Sequence, residues 1–160
     1  MRNSKDSIFE TVYEMHANMV YRLAFSYMKQ KEDAEDIVQE VFTKYMCGLR
    51  LPMSPEHERA WFVRVTINQC HDALRKRSYR MHDDLSTVVE KPLETDDSIS
   101  HLLDVLQKLP EKNRSVVILH YLEGYSVEEV GKILGLSVSA TKMRLKRSRE
   151  SLKEELEKES

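Results

Sequence analysis

The sequence has little of what secreted, membrane and metal-binding proteins depend on. Its 160 residues include only two cysteines, Cys47 and Cys70, which form no CxxC pair. Free thiols are therefore expected rather than a disulfide framework or a thiolate zinc site. No run of eighteen apolar residues occurs, which argues against a membrane-spanning helix. The polar N-terminus lacks the apolar core of a signal peptide, so we predict a cytoplasmic protein.

Motifs of catalysis are also missing. The six histidines show no HxxxH or HExxH spacing, and there is no glycine-rich phosphate loop or nucleophile elbow. We therefore expect no enzyme, no metal site and no cofactor. With only four glycines and four prolines, long stretches contain neither residue, which favours an all-α fold over a turn-rich β fold.

Charge is distributed unevenly along the chain, although the formal net charge is only −2. Residues 59–82 carry six Arg or Lys against one acid, and residues 142–149 carry five bases and no acid. Residues 83–98 and 150–160 are acidic. Because the local distribution rather than the sum governs polyanion binding, the two basic segments predict two nucleic-acid-binding surfaces.

The first half, residues 6–77, is predicted to form one domain of three helices. Apolar residues recur at helical spacing from Ile8 to Tyr27 and include Met15. The second helix has the clearest apolar face, made of Ala34, Ile37, Val38, Val41, Phe42, Tyr45 and Met46. Gly48 ends it, a loop runs from Leu49 to Glu58, and a third helix is expected from about Glu58 to Lys76.

Residues 78–98 are acidic, contain Pro92 and lack apolar periodicity, which predicts a flexible linker. A second small helical domain is expected over residues 99–155. Its first helix is predicted from Ile99 to Leu109, stopped by Pro110. The next is predicted from Glu111 to Leu122, with Val117, Ile118, Tyr121 and Leu122 turned inward.

The end of this second domain has the pattern of a helix-turn-helix. Ser126 with Glu129 forms a capping-box motif before a short helix, and Gly135 supplies a tight turn. The residues expected to be buried in the short helix are Val127, Val130 and Leu134. Ser137 then caps a long basic helix, whose predicted apolar seam is Val138, Leu145 and Leu152.

This long helix is the first candidate DNA-binding element. Its candidate DNA-contacting residues are Ser139, Lys142, Arg144, Lys146, Arg147 and Arg149. Ser139 and Lys142 lie in the first turns, where a recognition helix meets base edges, whereas the later bases suit phosphates. A solvated basic surface is the alternative interpretation.

The second candidate is the basic end of the third helix. Arg75, Lys76, Arg77 and Arg80 follow Trp61 and Phe62, and aromatic rings with cations suit single-stranded DNA. Spacing alone favours a different interpretation, in which the aromatics are core residues and the bases complement the helix dipole. Likewise, spacing alone makes the polar face of the second helix, Asp36, Gln39 and Glu40, an ordinary solvated surface.

Four segments resemble the extracytoplasmic-function sigma factors of RNA polymerase. Residues 33–42, DAEDIVQEVF, resemble the polymerase-docking segment of that family. The sequence RAWF at 59–62, with Asn68, Asp72 and Arg75, resembles the promoter-melting helix. LPEKNR at 109–114 and residues 125–149 resemble the domain that binds the upstream promoter element. The resemblance covers about residues 6–155.

The resemblance implies an alternative sigma factor with two helical domains, which binds core RNA polymerase and directs promoter-specific transcription. Asp36, Gln39 and Glu40 would contact the clamp helices of the largest polymerase subunit. The melted promoter element would be held, with the loop Leu49 to Glu58, by Trp61, Arg64, Asn68, Arg75, Lys76 and Arg77. The six candidates on the long helix would read and grip the upstream element. The acidic linker would lie in the RNA exit path, and an anti-sigma factor, often membrane-bound, would hold the protein inactive.

Some positions differ from the family pattern. The long helix begins Ser139-Ala140-Thr141-Lys142-Met143 where Gly-Thr-Val-Lys-Ser is usual. Cys70-His71 replaces small apolar residues, and Ser78-Tyr79 interrupts the basic run. These differences bear on the promoter sequence that is recognised rather than on the fold.

Two other functions fit parts of the sequence. A helix-turn-helix regulator that never joins polymerase explains residues 99–160 but gives the first eighty residues no task. An interaction module that sequesters polymerase without initiating transcription would not need the basic residues that this chain retains.

Overall fold

Helices account for nearly all of the residues that the computed structural model describes, which are 4–48, 54–80 and 97–158. The helices are α1 (Ser4–Met28), α2 (Lys31–Gly48), α3 (Pro55–Arg80), α4 (Asp97–Leu106), α5 (Glu111–Val117), α6 (Val127–Leu134) and α7 (Val138–Lys158). A π-helical segment, Ile118–Leu122, continues α5. No strand occurs within these described ranges, and the predicted all-α class is confirmed.

The chain divides into two compact units, Met1–Glu90 and Lys91–Ser160. The division falls inside the predicted linker, most of which (81–96) lies outside the described residues. At its two ends the linker prediction is too wide, because α3 continues to Arg80 and α4 begins at Asp97.

In the first unit, α1, α2 and α3 each pack against the other two. Phe62 of α3 lies at the centre. The centre of its ring is 5.1 Å from the ring centre of Phe42 on α2 and 4.5 Å from that of His16 on α1. The predicted face of α2 is confirmed over Ala34, Ile37, Val38, Val41 and Phe42, which are buried. Met46, one turn later, is half exposed because it lies beyond the contact with the other helices.

The apolar stripe of α1 is narrower than the sequence predicts. Val12, Met19 and Leu23 are buried, whereas Ile8 and Met15 are 59% and 62% exposed. At 100° per residue these two side chains lie at one edge of the stripe, and α2 and α3 cover only its centre. Ile8 and Met15 therefore follow the helical spacing but lie outside the core.

The ends of these helices follow from local chemistry. Lys29 ends α1 in the left-handed conformation, with φ of 66°, and its N–H donates to the Phe25 carbonyl at 2.8 Å. The third helix begins at Pro55 rather than near Glu58. Proline is well suited to the first helical position, and the Ser54 hydroxyl accepts a hydrogen bond from the His57 N–H at 3.2 Å.

In the second unit, α4, α5 and α6 each pack against α7. The first helix ends at Leu106 instead of Leu109. Lys108 and Leu109 donate instead to carbonyls three residues back, forming a tight turn before Pro110, and Leu109 is still buried. Leu103, Leu106, Val116, Ile118 and Leu119 are fully buried and form the centre of this unit.

The segment after α5 departs most from the expectation. Glu123 N–H donates to the Ile118 carbonyl, five residues back, at 3.0 Å. A π turn holds more residues than an α turn, so it changes the phase of the residues in it. Tyr121, which was predicted to be buried, is consequently 48% exposed.

Candidate functional site

The turn between α6 and α7 is set by caps at both helix starts. Ser126 Oγ accepts from the Glu129 N–H at 3.1 Å, and the Glu129 carboxylate accepts from the Ser126 N–H at 3.3 Å. Gly135 ends α6 with φ of 72°, and Ser137 Oγ accepts from the Ala140 N–H at 3.1 Å. The capping box, the glycine turn and the Ser137 cap were all predicted, and the helix-turn-helix is confirmed.

Gly131 supplies a close contact in this motif that the sequence analysis missed. A Cβ atom at this position would lie 2.8 Å from the Leu136 carbonyl oxygen and 3.0 Å from Thr141 Oγ1. The Leu136 N–H donates to the Gly131 carbonyl at 2.7 Å. The chain after α6 therefore passes directly over Gly131, and a side chain there would push α7 away. Gly131, Val130 and Ile133 are buried, while the predicted Val127 and Leu134 are only partly buried.

The buried face of α7 consists of Thr141, Leu145 and Ser148. Leu145 was predicted, but Val138 is 40% exposed, so the predicted seven-residue seam was wrong at its first position. Thr141 lies where α7 passes close to Gly131 of α6. The hydroxyls of Thr141 and Ser148 each donate to a carbonyl four residues back, so neither buried oxygen lacks a partner.

The candidate DNA-contacting residues of α7 lie away from that buried face. Ser139, Lys142, Lys146, Arg147 and Arg149 are exposed and Arg144 is partly buried. Lys142, Lys146 and Arg149 are spaced by four and three residues, so they share one flank of the helix. Arg149 Nη1 donates to the hydroxyl of Tyr121 at 3.0 Å.

The candidates on α3 form a stripe along that helix. Trp61, Arg64, Asn68 and Arg75 are separated by three, four and seven residues, and all but the partly buried Trp61 are exposed. The Trp61 ring packs edge-on against Phe62, with ring centres 5.0 Å apart. Trp61 is therefore both a core contact and a partly accessible ring at the end of this stripe. The preceding loop residues 49–53 lie outside the described residues.

Two of the bases near the end of α3, Arg75 and Arg77, have partners within the first unit. Arg77 Nη2 lies 2.7 Å from Asp33 Oδ2 and 3.4 Å from Gln30 Oε1, with both charged side chains about 30% exposed. Arg75 pairs with Asp72, one turn earlier on α3. Lys76 is exposed. Arg77 thus ties the end of α3 to the first turn of α2.

The polar face of α2 is exposed at Asp36, Gln39 and Glu40. The Glu40 carboxylate accepts a hydrogen bond from the side-chain amide of Gln69 on α3. The Lys44 ammonium donates to the other end of that amide at 2.6 Å. Gln69 of α3 therefore bonds to both Glu40 and Lys44 of α2. The contact with Glu40 spans 29 residues, and periodicity within α2 does not predict it.

A polar cluster lies at the start of α3. The Glu58 carboxylate lies 3.1 Å from His16 Nε2, and it accepts from the Tyr45 hydroxyl at 3.3 Å. Burial raises the pKa of Tyr45, and the charge of Glu58 and their hydrogen bond raise it further. Tyr45 therefore remains a neutral donor to Glu58 at physiological pH, and the cluster joins all three helices of the unit.

No group of His, Cys, Asp and Glu residues in the described ranges is arranged to hold a metal ion. Among the same residues, none of the helices is both long and apolar enough to cross a membrane.

Comparison with known proteins assigns both units. Residues 12–80 match the family described as Sigma-70 region 2, and residues 101–152 match Sigma-70, region 4. The chain is 30% identical to the RNA polymerase sigma factor SigV of Bacillus subtilis, over 99% of this chain and 96% of that protein. The chain belongs to the RNA polymerase sigma factors, in the extracytoplasmic-function group.

Other sigma factors are similar over nearly the same length. CarQ of Myxococcus xanthus is 30% identical over 96% of this chain and 91% of that protein. A solved structure of CnrH with the cytosolic domain of CnrY has a TM-score of 0.70 at 25% identity, covering 97% of this chain and 91% of that chain. Sigma factors are transcription initiation factors rather than enzymes by family, and this sigma factor directs transcription initiation.

The fold is shared with a more distant sigma factor as well. A structure of RpoE with the anti-sigma factor NepR from Bartonella quintana has a TM-score of 0.73 at 22% identity, covering 93% of this chain and 96% of that chain.

In the sigma factor described here, the helix-turn-helix lies in the region 4 match, and the faces of α2 and α3 lie in the region 2 match. Gly131, Gln69 and Tyr121 were not among the predicted site residues.

Proposed function

We propose that this sigma factor docks on core RNA polymerase through the polar face of α2 and holds promoter DNA with α3 and α7. The observation that supports it best is the exposure of Asp36, Gln39 and Glu40 over a face whose other side is fully buried. These polar groups add nothing to the core, so their arrangement is available for a partner.

On α2 the exposed groups form a mainly acidic surface with a defined geometry. Glu40 is held by Gln69, so its position depends on α3 as well as on α2. A mainly acidic surface of defined geometry suits a basic partner surface, because complementary potentials fix register and speed association. The clamp helices of polymerase are the partner that the family implies.

On α7 the arrangement supports duplex recognition. Ser139 and Lys142 are exposed in the first turns, on the side of the helix that a major groove would meet. Lys146, Arg147 and Arg149 lie farther along, where they would contact phosphates and supply affinity without sequence information.

On α3 the stripe of Trp61, Arg64, Asn68 and Arg75 supports binding of the melted promoter strand. A partly accessible indole can stack on one base while an amide and guanidinium groups contact the backbone or a base edge. Lys76 is exposed beside this stripe, whereas Arg77 would have to leave Asp33 to reach DNA.

An anti-sigma factor is the second partner that we propose. Among the structure neighbours, CnrH was solved with the cytosolic domain of CnrY, and RpoE with the anti-sigma factor NepR. If this sigma factor transcribes genes that are needed only under certain conditions, an inhibitor must keep it from polymerase and promoter at other times. A membrane-bound anti-sigma factor would couple release to an external signal.

The deciding experiment reverses charge on the docking face. Asp36→Lys with Glu40→Lys should abolish binding to core polymerase and run-off transcription, because like charges across an interface cost several kcal/mol. Folding should be preserved, since exposed substitutions change stability by less than about 0.5 kcal/mol. The matched control, Glu10→Lys with Glu14→Lys, changes net charge equally at two exposed acids of α1 in the same unit.

The alternative of a regulator that acts without joining polymerase makes the opposite prediction. Wild-type protein would then bind duplex DNA but would give no specific initiation with purified core enzyme. A folded and fully active double reversal would overturn the proposed docking face.

A further inference from the structure

The π turn at the end of α5 places an aromatic hydroxyl beside the basic helix. Tyr121 is 48% exposed, although the two residues that open the segment, Ile118 and Leu119, are fully buried. The His120 ring is held in turn by a 2.8 Å hydrogen bond between Nδ1 and the Tyr125 carbonyl, so Nδ1 carries the proton. The segment is therefore fixed by its neighbours, and Tyr121 is presented at the surface in a defined place.

The bond between Tyr121 and Arg149 leaves a donor unused. Arg149 Nη1 donates to the phenol oxygen at 3.0 Å. A guanidinium group accepts no hydrogen bonds, so this contact does not use the phenol proton. It also uses only one of the five N–H groups of the arginine. The pair can therefore offer one O–H and several N–H donors to the same acceptor, together with one positive charge.

The surroundings of the pair favour an anion. Arg149 shares its flank of α7 with Lys142 and Lys146, both exposed. Bonding to the hydroxyl also restricts where the guanidinium can lie, which lowers the entropy lost when it meets a ligand. Tyrosine, arginine and lysine are all residues that contact the DNA backbone in known complexes.

We propose that Tyr121 and Arg149 together bind one phosphate of the promoter backbone, next to the groove that α7 enters. This rests on the proposed role of α7 in duplex binding. In this site the Tyr121 O–H and an Arg149 N–H donate to oxygens of the phosphate, while Lys142 and Lys146 lie on the same flank. Tyr121 acts both as a ligand and as a positioning residue for Arg149.

The test measures binding of promoter duplex by the full chain assembled with core polymerase, over a series of salt concentrations. Tyr121→Phe removes only the hydroxyl. It should weaken binding roughly tenfold, since a hydrogen bond to a charged group is lost. It should leave the slope of log affinity against log salt unchanged, because tyrosine carries no charge.

Arg149→Met should weaken binding and also reduce that slope by about one, because one phosphate contact that releases a counterion is gone. The two substitutions combined should weaken binding by less than the product of their separate effects, because they remove one shared site. Tyr13→Phe, at an exposed tyrosine of the first unit, is the matched control and should leave affinity unchanged.

The outcomes separate this proposal from the proposed role of α7. Arg144→Ala with Arg147→Ala supplies the reference, because these bases are independent of Tyr121. If that pair weakens binding while Tyr121→Phe leaves affinity at the wild-type value, the phosphate site is wrong and duplex binding by α7 stands. If neither change affects affinity or salt slope, both proposals fall. A lowered melting temperature for Tyr121→Phe would mean that the hydroxyl stabilises the fold instead.

Discussion

In the first unit two bases near the end of α3 pair with acids of the same unit, whereas in the second unit the bases of α7 are mostly exposed. Arg77 lies 2.7 Å from Asp33, and Arg75 pairs with Asp72. On α7, Lys142, Lys146 and Arg147 are all exposed. The two basic clusters of the sequence therefore differ in how much of their charge is engaged within the protein.

The two units also differ in the interactions that fix the positions of their helices. Side-chain networks join the helices of the first unit, through Glu58 and through Gln69. In the second unit the critical geometry is a backbone approach, with Gly131 under the Leu136 carbonyl. A ligand that competes for charge should thus perturb the first unit more readily than the second, whose turn depends on shape.

The largest effect is expected from Gly131→Ala. The added Cβ meets a backbone carbonyl at 2.8 Å, so α6 and α7 must separate. Overpacking of this kind destabilises by about 1–3 kcal/mol, and duplex binding should fall with it because the turn aims α7. Thermal unfolding should show a lower transition temperature for the second unit and an unchanged one for the first.

Gly48→Ala is the matched control, since none of the described residues lies within 4 Å of a Cβ at that position. It should leave both melting and DNA binding nearly unchanged. A Gly131→Ala protein with wild-type melting and binding would mean that the turn tolerates a wider spacing, and that the contrast between a charge-dependent and a shape-dependent unit is wrong.

An intermediate effect is expected from replacing one ion-paired arginine, Arg77, and one exposed arginine, Arg147, with methionine. Arg77→Met should destabilise the first unit by about 1 kcal/mol, because it breaks a partly buried ion pair. Arg147→Met should change stability by less than about 0.5 kcal/mol, yet it should weaken duplex binding and lower its salt slope by about one. Denaturant melts and binding isotherms on both variants provide the readout.

Asp33→Asn distinguishes the two possible roles of Arg77. If the pair is structural, Asp33→Asn should cost nearly as much stability as Arg77→Met, and the double variant little more than either. If Arg77 instead binds melted DNA, Arg77→Met should weaken binding of single-stranded promoter DNA with unchanged stability. That result would remove the difference between the two basic clusters.

Periodicity and capping chemistry predict much of this molecule, because they act within one helix. The α2 face, the Ser126 capping box and the Gly135 turn were all found from spacing and residue type. The errors arise where another element decides the outcome. Ile8 and Met15 have the right spacing for α1, but α2 and α3 do not reach them. Tyr121 was predicted to be buried because its spacing assumes α turns, and the π turn over Ile118–Leu122 changes that phase.

The site was predictable to the same extent. Which residues are basic and which share a helix face can be read from the sequence, and the exposure of Lys142, Lys146 and Arg147 agrees with it. The partners of Arg77 and Glu40 could not be read, since Asp33 and Gln69 lie 44 and 29 residues away. A pairing of that range depends on how the helices pack, which local pattern does not determine.

The smallest effect is expected at Lys29, where the first unit also depends on backbone shape. Lys29 ends α1 with φ of 66°, a conformation that disfavours residues with a Cβ by roughly 1–2 kcal/mol. Lys29→Gly should therefore stabilise the first unit by about 0.5–1 kcal/mol, part of the gain being offset by the greater freedom of glycine in the unfolded chain. Lys29→Ala, the matched control, removes the same charge and keeps the Cβ, so it should give no gain. Thermal melts of both variants measure the difference. Equal stability of the two variants would show that the left-handed backbone at residue 29 carries no cost that glycine relieves, so that backbone shape does not limit the stability of the first unit at the end of α1.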